Sequence, residues 1–115
     1  MVEAALVLVT VSSVSEGERI ANRLVELRLA ACVNVVPNLR SFFWWEGKLT
    51  EEGEALLLIK TRRGLIDRVV ERVKRLHSYQ FPEVIALPII GGSEDYLNWL
   101  EEETATAPVS SGSGD

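Results

Sequence analysis

Leucine and valine run without interruption through Leu6, Val7, Leu8 and Val9, and again with isoleucine through Leu56, Leu57, Leu58 and Ile59. These runs predict strands over Glu3–Val11 and Ala55–Thr61. Between them, Ile20, Leu24 and Leu27 recur at helical spacing, and Ser15 stands three before Glu18, the spacing of a capping box. A helix is therefore expected from about Ser15 to Ala30. Cys32–Trp45, rich in Val, Phe and Trp, reads as a long strand. Pro37-Asn38 predicts a bend or bulge within it, because proline cannot donate to a ladder. Glu46-Gly47-Lys48 and Glu51–Gly53 read as turns. Ile66, Val69, Val70, Val73 and Leu76 predict a second helix after Gly64, Val84–Ile90 a fourth strand, and Ser93 to Glu103 a short third helix.

The order β-α-β-β-α-β plus a terminal helix is the ferredoxin-like arrangement, an α+β fold. It predicts one domain over residues 1–103 and a flexible tail over 104–115, whose Ser110–Gly114 stretch has linker composition. Helices cover one face of such a sheet. The central runs are apolar at every position, and neighbouring strand residues point to opposite faces, so both faces are apolar. Phe42-Phe43 and Trp44-Trp45 extend that property into the long strand. A second apolar face and an open edge predict self-association.

The 115 residues carry 12 basic and 17 acidic side chains, a net charge of −5, which argues against nucleic-acid binding. Seven of the twelve basic residues lie between Lys60 and Arg75. No apolar run reaches the roughly 18 residues of a membrane span. No signal-peptide pattern opens the chain, so a cytoplasmic protein is expected. A single cysteine, Cys32, excludes an internal disulfide and an all-cysteine metal site within one chain.

Cys32 and His77 are the soft-to-borderline donors, apart from weak Met1, that copper or zinc would favour, with Glu83 as a carboxylate helper. One subunit supplies too few ligands for a closed site, so a shared site at a subunit boundary is the natural form. Each has a structural alternative: Cys32 as a small buried hydrophobe, His77 as a helix C-terminal cation, Glu83 as an ion-pair or hydrogen-bond partner. Tyr79, Trp44 and Trp45 read as packing or interface residues. Lys60, beside Thr61, Arg62 and Arg63, is where an anionic metabolite would bind, though no Gly-rich phosphate loop accompanies it. Neither an oxyanion-hole motif nor paired catalytic carboxylates are present, so no enzyme is expected.

Five ordered motifs carry a resemblance: Ala30-Ala31-Cys32-Val33-Asn34, Trp44-Trp45-Glu46-Gly47-Lys48, Leu58-Ile59-Lys60-Thr61, His77-Ser78-Tyr79-Gln80-Phe81-Pro82-Glu83 and Tyr96-Leu97-Asn98-Trp99-Leu100. Together they resemble the CutA divalent-cation tolerance family over about residues 4–103. The resemblance implies a homotrimer akin to PII signalling proteins, weak binding of copper or another divalent cation, no organic cofactor, and no catalysis. Some members carry cysteine where this chain has Val9, and two histidines where it has Leu76 and His77. Ser78 replaces the usual proline, and Phe81 a smaller residue. Two other readings stand beside it. One is a PII-like sensor of an anionic metabolite. The other is a trimeric scaffold, engineered to meet a second protein through its helix faces, with Phe81 as a contact.

Overall fold

The computed structural model describes residues 2–107. Its elements are β1 (Ala4–Val11), α1 (Val14–Glu26), β2 (Cys32–Trp45), β3 (Lys48–Arg62), α2 (Ile66–Leu76), β4 (Val84–Ile89) and α3 (Glu94–Glu103). The strands form one sheet in the order β2-β3-β1-β4, every pair antiparallel. This is the expected α+β, ferredoxin-like topology with its added third helix.

Alternation decides which residues enter the core. Val7, Val9 and Val11 of β1 and Ala55, Leu57 and Ile59 of β3 are fully buried against Ile20 and Leu24 of α1 and Val69 and Val73 of α2. Removing each large side chain from water contributes roughly 1.5–3 kcal/mol. The intervening residues form the second face. Leu8 stands opposite both Leu58 and Ile85, and Leu6 opposite Lys60 and Leu87. Helix α3 reaches one end of this face, where the Tyr96 hydroxyl meets the Cys32 thiol. Ile85 and Leu87 nevertheless remain 51% and 46% exposed.

Several local expectations shift. The N-cap of α1 is Ser13, whose hydroxyl accepts from Glu16 N–H at 3.1 Å, rather than Ser15. The chain holds two Ser-x-x-Glu registers two residues apart, and the earlier one wins because Glu16 also bonds back to Ser12. The helix ends at Glu26, short of Ala30. Arg28 takes a left-handed φ of 63°, and the N–H of Leu29 returns to the Leu24 carbonyl in a Schellman-type closure. Arg28 tolerates that position while its guanidinium binds the Glu103 carboxylate at 2.7 Å.

Glu51–Gly53 is not a turn. It continues β3, pairing with Arg40, Ser41 and Phe42, and Arg40 and Glu51 form a cross-strand ion pair. The true turn is Glu46-Gly47, with φ of 50° and 79°, a type I′ geometry that places glycine at its second position. The bulge at Pro37-Asn38 is present as a register shift between Val36 and Leu39.

The expected tail also needs correction at its start. Thr104 is fully buried and Ala107 joins the core. Arg62 secures them, its guanidinium donating to the Thr104 hydroxyl at 3.0 Å and to the Thr104 carbonyl at 2.7 Å. A long-range cation capping carbonyls leaves no periodic signal in the sequence. The Ser110–Gly114 stretch and Met1 lie outside the described residues.

Gly17 marks the closest approach of α1 to the sheet. A Cβ there would stand 3.1 Å from Leu57, 3.2 Å from Val11 and 3.3 Å from Val35. Gly17→Val is therefore expected to destabilise the fold by about 1–3 kcal/mol through overpacking. The effect should appear as a lower urea midpoint with an unchanged slope, at fixed protein concentration.

Candidate functional site

The β2–β3 hairpin projects beyond the sheet, and the segment from His77 to Glu83 lies beside its base. Because β3 runs without a bulge, Thr50, Glu52 and Glu54 share the second face with Leu56 and Leu58. An open cleft of about 790 Å³ lies between hairpin and segment. Phe43 and Trp45 line its hairpin side, Tyr79 and Phe81 the other, and the carboxylates of Glu52, Glu54 and Glu83 contribute to its lining. No basic side chain lines it among the described residues.

The segment is held at its start by a buried polar knot. The His77 ring, with no exposed side-chain surface, places Nε2 2.7 Å from the Thr10 carbonyl oxygen. Its Nδ1 accepts from the Tyr79 N–H at 3.0 Å. A carbonyl only accepts and an amide N–H only donates, so these partners define the neutral tautomer protonated at Nε2. Glu16 lies alongside, its Oε2 3.6 Å from Nδ1. Glu16 accepts from Ser12 N–H at 2.9 Å, the Ser12 hydroxyl at 2.7 Å and Ser78 N–H at 2.7 Å. Burial alone would raise its pKa. The hydrogen bonds from Ser12 and Ser78 outweigh that and bring it down to about 2. Next in line, the Tyr79 hydroxyl donates to Glu54 at 2.8 Å. Burial, that bond and the negative charges of Glu54, Glu52 and Glu16 push the phenol pKa well up.

Cys32 lies elsewhere. It begins β2 opposite Lys60, whereas Thr10 pairs with Leu56. Four residues of β3 separate those rows, about 13 Å along the strand. The Lys60 ammonium sits 3.8 Å from the Cys32 sulfur and bonds the Asn34 side chain. The Tyr96 phenol lies near Cys32, and its pKa is raised, first by burial and then by that neighbour. Glu83 stands exposed at the end of the cleft segment. The three expected metal donors, Cys32, His77 and Glu83, are thus not brought together within one chain. Among the described residues no three His, Cys, Asp or Glu side chains form a ligand group.

The basic residues suggested for an anion are used internally: Lys60 on Asn34, and Arg62 on Thr104. Phe81 is 72% exposed, but on the cleft segment rather than on a helix face. Sequence reasoning missed Glu16 and Glu54. Glu16 carried a signal in the earlier Ser-x-x-Glu register, whereas Glu54 carried none, following an apparent turn.

Comparison with known proteins agrees with this architecture. The family described as "CutA1 divalent ion tolerance protein" matches residues 5–103. Rice "Protein CutA 1, chloroplastic" is 50% identical over 103 residues, 90% of this chain and 58% of that protein, so the chain spans little more than half its relative's length. The "Divalent-cation tolerance protein CutA" of Thermus thermophilus is 50% identical over 99 residues, covering 86% of this chain and 96% of that one. Among solved structures, rice CutA1 superposes with a TM-score of 0.88 at 50% identity, covering 90% of this chain and 94% of that one. The periplasmic divalent cation tolerance protein CutA of Archaeoglobus fulgidus gives 0.86 at 42% identity, covering 88% and 98%.

The depressed pKa of Glu16 fixes a pH dependence. Its stabilisation is complete above about pH 4.5, the ordinary carboxyl value, and is lost as pH falls towards about 2. Glu16→Gln should cost roughly 3 kcal/mol at neutral pH. Urea unfolding of both proteins at neutral and strongly acidic pH should show the gap between them closing in acid. An equal gap at both would mean that the carboxylate charge is not what holds the knot.

Proposed function

Because this chain belongs to the CutA1 divalent ion tolerance family, we propose that it acts in divalent-cation tolerance as a homotrimeric, non-catalytic cation-binding protein, with copper as the preferred ion. The observation that carries this reading is the uncovered second face of the sheet. Leu8, Leu58, Ile85 and Leu87 form an apolar row there, and Phe43 and Trp45, 36% and 49% exposed, continue the same face onto the hairpin. A surface of that extent is stable in water only when covered. Among the described residues the outer edges of β2 and β4 carry no strand partner, so backbone pairing between copies can accompany the burial. The resemblance to the family supplies the number three.

Assembly also bears on the cation. Cys32 and Glu83 lie too far apart in one chain to share an ion. Donors from neighbouring subunits would complete a site between them, as copper's preference for several nitrogen, sulfur or oxygen ligands requires. The unit that carries this function is the single domain expected over residues 1–103, together with Thr104 and Ala107, which pack into it. Among the described residues no helix is long and apolar enough to cross a membrane. The cytoplasm is the compartment this reading assigns, and fractionation checks it against the chloroplast and periplasm named for two relatives.

Native mass spectrometry of metal-stripped protein is expected to show three copies, taking up an integral number of Cu(II) ions. Leu87→Glu should weaken assembly at least about a hundredfold, because a carboxylate would be buried without a partner. A monomeric wild type would overturn the assembly. A trimer that binds no copper at moderate excess would keep the assembly and remove the cation reading.

A further inference from the structure

We infer that His77 stays out of cation coordination and serves instead as the residue that positions the Tyr79–Phe81 wall of the cleft. The inference rests on the family-level reading of cation binding for its first half. Its second half stands on geometry alone.

An imidazole binds a metal through the lone pair of an unprotonated ring nitrogen. At His77 neither nitrogen has one to offer. Nε2 carries the proton directed at the Thr10 carbonyl, 2.7 Å away, and the Nδ1 lone pair receives the Tyr79 N–H at 3.0 Å. The side chain is fully buried, so a metal at either nitrogen would displace one of these partners into a site without water. Among the described residues the carboxylate beside the ring, Glu16 at 3.6 Å from Nδ1, is already occupied by Ser12 and Ser78. The donor set around this ring does not fit a bound cation.

The same contacts describe a positioning device. Ser78 N–H is held by Glu16, Tyr79 N–H by the His77 ring, and the Tyr79 hydroxyl by Glu54 across the cleft. The two rings lie 4.7 Å apart, tilted by 47°. Three consecutive tethers thus set where the segment leaves α2, and Phe81 then projects beside the cleft. His77 acts through Tyr79, coupling the end of β1 to the hairpin.

Two variants and one measurement on the unaltered chain test this. Asn at position 77 can place an oxygen where Nδ1 now accepts the Tyr79 N–H, whereas Ala cannot. Amide exchange at Tyr79 is expected to speed up about tenfold in His77→Ala, as for the loss of one buried hydrogen bond, and to be largely restored in His77→Asn. Cu(II) titration of His77→Asn should retain the wild-type stoichiometry, with affinity within about threefold. In the unaltered protein, nitrogen NMR of the ring should keep the Nε2-protonated pattern throughout a Zn(II) titration, which decides the matter even where a variant fails to fold. Ring nitrogen signals that move in step with bound zinc would overturn the inference, as would copper binding lost in His77→Asn while Tyr79 stays protected. Unchanged Tyr79 exchange in His77→Ala would overturn the positioning role. A chain that takes up neither ion defeats the functional reading, while the exchange experiment still decides the role of His77.

Discussion

The central pair of strands, β1 and β3, is apolar on both faces, and the chain owns enough helix to cover only one of them fully. Most of the architecture follows from this asymmetry. Val7, Val9, Leu57 and Ile59 close against α1 and α2 into a core that excludes water. Leu8 and Leu58, one residue along, face outward beside half-exposed Ile85 and Leu87. A strand that is hydrophobic at every position specifies no preferred face by its own pattern. Here the choice is made by where the helices return, and the remaining face becomes the surface on which association depends.

The helix-side core is apolar, and its polar complement is concentrated at one end of the sheet. Ser12, Glu16, His77 and Tyr79 satisfy one another and the adjoining backbone there, joining the end of β1, the first turn of α1 and the exit from α2. Such a knot is costly when half satisfied and rigid when complete. It carries that rigidity to the cleft, because the last member, Tyr79, bonds Glu54 on the hairpin. At the opposite end Arg62 plays a comparable part, binding carbonyls at the end of α3 and so drawing Thr104 and Ala107 into the fold.

The candidate site was legible only in fragments. Cys32, His77 and Glu83 were readable as donor types, since a chain with one cysteine and one histidine offers few others. What each donor lone pair meets is not a property of residue type. His77 looked equally like a ligand and like a helix-terminal cation, and the structure shows neither arrangement but a buried neutral ring spanning Thr10 and Tyr79. Glu54 was hidden because Glu51–Gly53 has the composition of a turn. It becomes strand only because Phe42, Ser41 and Arg40 stand opposite and pair with it.

Periodicity and composition by themselves determined the order of elements, the α+β class, the bulge at Pro37-Asn38 and the presence of a second apolar face, since each depends on neighbours a few residues apart. Helix ends, the continuity of β3, the packing of Thr104–Ala107 and the partners of His77 were decided by tertiary structure. Apart from the short-range caps at the helix ends, these rest on pairing, hydrogen bonds or ion pairs between groups further apart in sequence, such as Arg62 with Thr104 or His77 with Thr10. Local pattern holds no record of such bonds, because their free energy exists only once the chain has brought the two groups out of water together.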